Sequence, residues 1–133
     1  MKKIILALAL IAMGLGLYSA FFIDHPILAD HYTASFKGCD RDVLKDHQKL
    51  KFALIDSARS AGAKVYDLCE TRVNEEGYAV VLLLEKSHAS LRSLDEKGIC
   101  VVDLLAFDQT LDCKLFDKNM RAYLKPEAVH KII

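Results

Sequence analysis

The chain has no excess of either charge: its 133 residues hold 18 lysines and arginines against 18 aspartates and glutamates. Lys2 and Lys3 sit at the amino terminus, so the rest of the chain is acidic by two charges. Without a basic field, electrostatic binding to nucleic acid is not expected. Cys39, Cys69, Cys100 and Cys113 include no C-x-x-C pair and the five histidines are scattered, so no metal site is expected either. An even cysteine count is compatible with two disulfides in an oxidising compartment, although small buried side chains are the simpler reading. No glycine-rich turn leads into a helix to cradle phosphate, no G-x-S-x-G elbow is present, and no internal repeat is visible.

What the chain does contain begins with an uncharged run from Ile4 to Ile23, preceded by the two lysines. As a helix these 20 residues would span about 30 Å, the thickness of a bilayer core. A secretory signal is the other reading. Cleavage after Ala20 or Ala29 would place Tyr18 or Ile27 where a small residue is wanted, so an uncleaved anchor is expected over residues 1–23. The lysines favour a cytoplasmic amino terminus and a body on the far side of the membrane. Residues 24–30 read as a linker, and residues 31–133 suffice for one compact domain.

Within that body, His31 to Lys37 alternates like a strand, ended by Gly38-Cys39-Asp40. From Arg41 to Ala61, Val43, Leu50, Leu54, Ala58 and Ala61 form one face of an amphipathic helix closed by Gly62. Ala63 to Val73 and Tyr78 to Glu85 read as a hairpin around Asn74-Glu75-Glu76-Gly77, the second strand apolar enough to be covered on both faces. Ser87 to Ser93 continues extended, Asp95 to Gly98 turns, and Ile99 to Phe107 is a strong strand. Thr110 or Asp112 can cap a second helix carrying Leu111, Leu115, Phe116, Met120 and Tyr123, stopped by Lys125-Pro126; Ala128 to Ile133 is an edge strand. The expectation is an α+β two-layer sandwich, a mostly antiparallel sheet with two helices on one face. Its other face would then be buried by dimerisation.

The most reactive-looking stretch is LLLEKSHASLRS, Leu82 to Ser93. Ser87 and His88 are adjacent in an extended segment and so point to opposite faces, which argues against His88 as a base for Ser87. Glu75 and Glu76 lie in a turn, where solvated charges are the ordinary outcome.

Three stretches together carry a family likeness: FKGCD (Phe36 to Asp40), SAGAKV (Ser60 to Val65), and KSHASLRSLDEKG running into CVVDLLAF. They resemble the bacterial S-adenosylmethionine decarboxylases, whose pattern over the last stretch is approximately E-S-H-x-S-I-H-T-W-P-E-x-G-x-A-x-x-D-x-x-x-C. The resemblance covers His31 to the carboxyl terminus. Ser87, His88, Ser90, Glu96, Gly98 and Asp103 match the pattern, while Lys86 replaces its glutamate and Leu94-Asp95 its Trp-Pro pair. Arg92 stands at the position of the histidine that assists processing, and Phe107 at that of the proton-donating cysteine.

The resemblance implies that the serine hydroxyl attacks the preceding carbonyl, that the peptide becomes an ester, and that β-elimination leaves a pyruvoyl group on the downstream chain. That ketone condenses with the substrate amine and serves as electron sink for loss of carboxylate. Carried over, Ser87 is the pyruvoyl precursor, Lys86–Ser87 the scissile bond, and Arg92 and Glu96 further site residues. S-adenosylmethionine is the implied substrate, in spermidine synthesis; the homodimer or higher oligomer is expected from the uncovered sheet face instead. Other readings are a decarboxylase redirected to a basic amino acid, or a non-processing homologue acting as a membrane-anchored binding or regulatory partner.

Overall fold

The computed structural model of the protein describes residues 29–107 and 109–132. The expected anchor over residues 4–23 lies outside them, and among the described residues no helix is long and apolar enough to cross a membrane. Six strands run β1 (Ala29–Lys37), β2 (Val65–Val73), β3 (Gly77–Leu84), β4 (His88–Leu94), β5 (Ile99–Phe107) and β6 (Ala128–Ile132). They form one sheet in the order β2-β3-β4-β5-β1-β6, and every pairing between neighbours is antiparallel. The expected strand boundaries shift slightly. β1 starts at Ala29, paired with Phe107, and β2 starts at Val65 because Ala63 and Lys64 belong to the turn after a helix.

The single helix expected from Arg41 to Ala61 is two helices, α1 (Arg41–Lys45) and α2 (His47–Ser60). Asp46 causes the break. Its side chain accepts a hydrogen bond from Lys49 N at 3.1 Å, capping α2, while its own N–H bonds back to Asp42 and Val43 oxygens. An aspartate that caps outcompetes one held mid-helix. Gly62 ends this unit as expected, at a φ of +102° that a side chain disfavours. The third helix, α3 (Cys113–Leu124), is capped by Asp112, which accepts from Leu115 N at 2.9 Å; Thr110 instead donates to Phe107 O.

All three helices contribute to a core on one side of the sheet. Phe36, Leu82, Leu91 and Leu104 from the strands pack against Leu50, Leu54, Phe116 and Met120, each fully buried. Deleting one of the larger side chains would cost about 2–5 kcal/mol. Edge strand β6 is tied down by charge as well as by pairing. Asp117 on α3 accepts from Tyr32 Oη at 2.6 Å and meets Arg121 Nε at 2.9 Å and Lys131 Nζ of β6 at 2.7 Å. Burial opposes the charge of Asp117, but these three partners outweigh it and hold the carboxyl below its ordinary range.

Among the described residues, the opposite face of the sheet carries no layer of its own. β3 is therefore not covered on both faces: Val80, Leu82 and Leu84 point to the core, while Val81 and Leu83 stand 47% and 55% exposed. Strand alternation puts them on the open side with Val101.

Candidate functional site

Ser87 follows a two-residue loop. Leu84 N donates to Ser87 O at 3.0 Å, so Glu85 and Lys86 alone join the paired ends of β3 and β4. Glu85 N in turn donates to Lys64 O, fastening the loop to the segment that follows α2. Asp112 N donates to Ala61 O and brings up the segment before α3. Three connections distant in sequence thus converge. They enclose a cleft of about 210 Å³ lined by Lys64, Glu85, Lys86, Ser87, Thr110 and neighbouring residues. Ser87 is half-buried there, and Lys86 is exposed beside it.

The charged groups of the cleft are the ammonium groups of Lys64 and Lys86 and the Glu85 carboxylate. Tyr66 Oη donates to Glu85 Oε1 at 2.9 Å, and that bond raises the phenol above its ordinary range. Lys64 Nζ lies 5.4 Å from the centre of the Tyr66 ring. Lys64 lies in the SAGAKV stretch that shares the family likeness, but no motif marked Tyr66, and neither was assigned to the serine.

The other candidates lie elsewhere. His88 is exposed, paired across the sheet with Leu83 and Leu105, so it and Ser87 do part as strand geometry demands. Arg92 is also on the open face, between Ala79 and Val101, and it does not line the cleft. The resemblance put it beside the serine, but the four residues between them carry it along β4 and onto the other face. Glu96 is placed still further off. It belongs to a single 3-10 turn (Asp95–Lys97) at the far end of β4, exposed, with Lys45 3.9 Å away. Seven residues of strand separate it from Ser87, about 20 Å.

Phe107 ends β5 half-buried, on the open-face side of the strand. Cys100 is fully buried on the core side at the other end of β5, where burial pushes its thiol well up. It cannot take over a proton-donating role at Phe107. Cys39, also buried, is pushed up to about 11, and all four cysteines are free thiols.

The open face bears one polar network that the sequence alone did not single out. Ser90 Oγ donates to Asp103 Oδ1 at 2.5 Å, and His31 Nε2 lies 3.5 Å from Asp103 Oδ2. Both Ser90 and Asp103 match the family pattern, which was the available signal. Among the described residues, no group of three or more histidines, cysteines or carboxylates is arranged to hold a metal ion.

A sequence model described as S-adenosylmethionine decarboxylase matches residues 30–132. The S-adenosylmethionine decarboxylase proenzyme of Brevibacillus brevis is 26% identical over 108 residues, 81% of this chain and 81% of that protein. The corresponding proenzyme of Caldicellulosiruptor saccharolyticus is 27% identical over 85 residues, covering 64% of this chain and 68% of its own. Among solved structures, the adenosylmethionine decarboxylase from Aquifex aeolicus shares the fold, with a TM-score of 0.71 at 20% identity over 80% of this chain and 88% of that one.

Proposed function

This chain belongs to the S-adenosylmethionine decarboxylase family, and from that premise we propose that it is a self-processing carboxy-lyase whose reactive group arises from Ser87. The observation that carries the reading is the position of Ser87. It is the residue after a constrained two-residue loop, half-buried in a cleft with room for a small substrate. A pyruvoyl group fits there, because the residue that would carry it borders the cleft rather than the core.

The first step belongs to the chain itself. Ser87 Oγ attacks the Lys86 carbonyl carbon, the C–N bond breaks, the nitrogen takes up the hydroxyl proton, and an ester joins the two residues. Loss of the Ser87 α-proton then expels the Lys86 carboxylate, and hydrolysis of the resulting enamine releases ammonia. When formed, the ketone supplies an electron sink for decarboxylation of an amine-bearing substrate. Lys86 gives the cleft a positive side for a carboxylate, and Thr110 offers a hydroxyl at its rim. By family the substrate is S-adenosylmethionine and the product feeds spermidine synthesis.

A dimer formed through the open sheet face is part of the same reading, supported by the exposure of Val81, Leu83 and Val101. Glu96 could reach a Ser87 cleft only from a second copy. The uncharged segment 4–23 is proposed as a membrane anchor, with the body on the extracytoplasmic side, and a reporter fused after Ile133 tests it. Intact mass of freshly purified protein tests the central claim: two chains, 1–86 and 87–133, the second reactive toward carbonyl reagents. One uncleaved chain, with the mass the sequence dictates, sinks it in favour of a non-processing homologue.

A further inference from the structure

One wall of the Ser87 cleft has no part in self-cleavage. It consists of Lys64 and Glu85, backed by Tyr66. Tyr66 is 54% exposed, yet its ring is not free to turn: the hydroxyl is held by Glu85 Oε1 at 2.9 Å. Tyr66 does not itself line the cleft, but that bond fixes the orientation of its aromatic face against two residues that do, Glu85 and Lys64. The face already attracts a cation, since Lys64 Nζ stands over it at 5.4 Å. An aromatic face and a carboxylate side by side are the two groups that recognise an organic cation, the first through its quadrupole and the second through charge. Lys64 is exposed on a flexible stem, so a competing cation can displace its ammonium into water at little cost.

Resting on the decarboxylase reading above, we propose that Tyr66 and Glu85 form the recognition wall for a cationic side chain of an α-amino acid substrate, with Lys64 as the resident cation that the substrate displaces. The α-amine of such a substrate is directed toward Ser87 while its charged end reaches back to the wall. A sulfonium and an ammonium share this chemistry, and the test separates them.

The experiment uses full-length Ser87→Ala protein, which cannot process, and isothermal titration calorimetry with two pairs of probes that differ in charge. These are S-adenosylmethionine against S-adenosylhomocysteine, and L-lysine against L-norleucine. In at least one pair the cationic member is expected to bind about tenfold more tightly, and which pair does so identifies the cation. Adding Tyr66→Leu or Glu85→Gln is expected to cut that preference about threefold or more. Equal binding within both pairs, no binding of any probe, or a preference unchanged by both substitutions overturns the assignment. Because the protein cannot cleave, this outcome is independent of the processing test: an uncleaved wild type would sink the pyruvoyl reading and leave the wall standing.

Discussion

Ser87 and Glu96 stand at opposite ends of β4, one in the cleft beside the β3–β4 loop and the other in the 3-10 turn after the strand. Arg92, between them in sequence, projects from the open face. The proposed self-cleavage of Lys86–Ser87 would therefore run without either side chain from the same chain. Ser87→Ala is expected to abolish cleavage completely. Arg92→Ala should leave its rate within about twofold, since an always-protonated guanidinium on the other face neither takes a proton nor touches the bond. A time course of intact mass measures both, and a large loss in Arg92→Ala would show that the arginine reaches the bond.

The open face makes a second prediction. Burying Val81, Leu83 and Val101 against another copy removes apolar surface from water, whereas a lysine at one of these positions would be trapped in the contact. Leu83→Lys is expected to convert the proposed dimer to monomer in sedimentation velocity with an unchanged far-UV circular dichroism spectrum. A wild type that already sediments as a monomer at micromolar concentration would remove the face as an interface.

Asp117 predicts an acid-sensitive edge. Its carboxyl is held below the ordinary value of 3.8 by Lys131, Tyr32 and Arg121 despite its burial. The pairing thus contributes fully above that value and is lost as pH falls through the depressed folded-state range. Asp117→Asn should cost about 1–2 kcal/mol near neutral pH, because the buried Tyr32 hydroxyl loses a charged acceptor while Arg121 and Lys131, both partly exposed, can turn to water. The difference from wild type should shrink as both are unfolded by urea at progressively lower pH below 3.8. A constant difference would assign the loss to packing alone.

Thiol reactivity should sort the four cysteines. Cys69 is exposed on β2, Cys113 half-buried, and Cys39 and Cys100 lie in the core. A chromogenic disulfide reagent should titrate Cys69 first, then Cys113, and reach the remaining two only in denaturant. Fast reaction of all four in the native protein would contradict the packing.

Much of the fold was legible from residue pattern. The order of strands and helices, the stop at Gly62 and the break at Lys125-Pro126 all follow from local chemistry, because capping, turn formation and alternation act over a few residues. Asp46 escaped notice for a related reason. An aspartate inside an amphipathic run is compatible with a continuous helix, and only the bond from Lys49 N to its side chain shows that it caps instead. The apolar character of β3 was read as burial on both faces, yet hydrophobicity states what a strand tolerates rather than what covers it.

The site divides along the same line. Family pattern pointed to Ser87, Lys86, Arg92 and Glu96 as one group, since nearness along the chain is all that a motif records. The tertiary structure kept Ser87 and Lys86 together and sent Arg92 and Glu96 away, because an extended strand alternates its faces and advances about 3.3 Å per residue. It brought Lys64 and Thr110 to the cleft of the serine instead, with Tyr66 held against Lys64 and Glu85. By itself the sequence determined most of the elements and the two-layer arrangement, governed by short-range periodicity and backbone chemistry, while the serine was marked by family resemblance alone. Which side chains surround that serine was decided only when antiparallel pairing and helix packing brought distant turns to one end of the sheet.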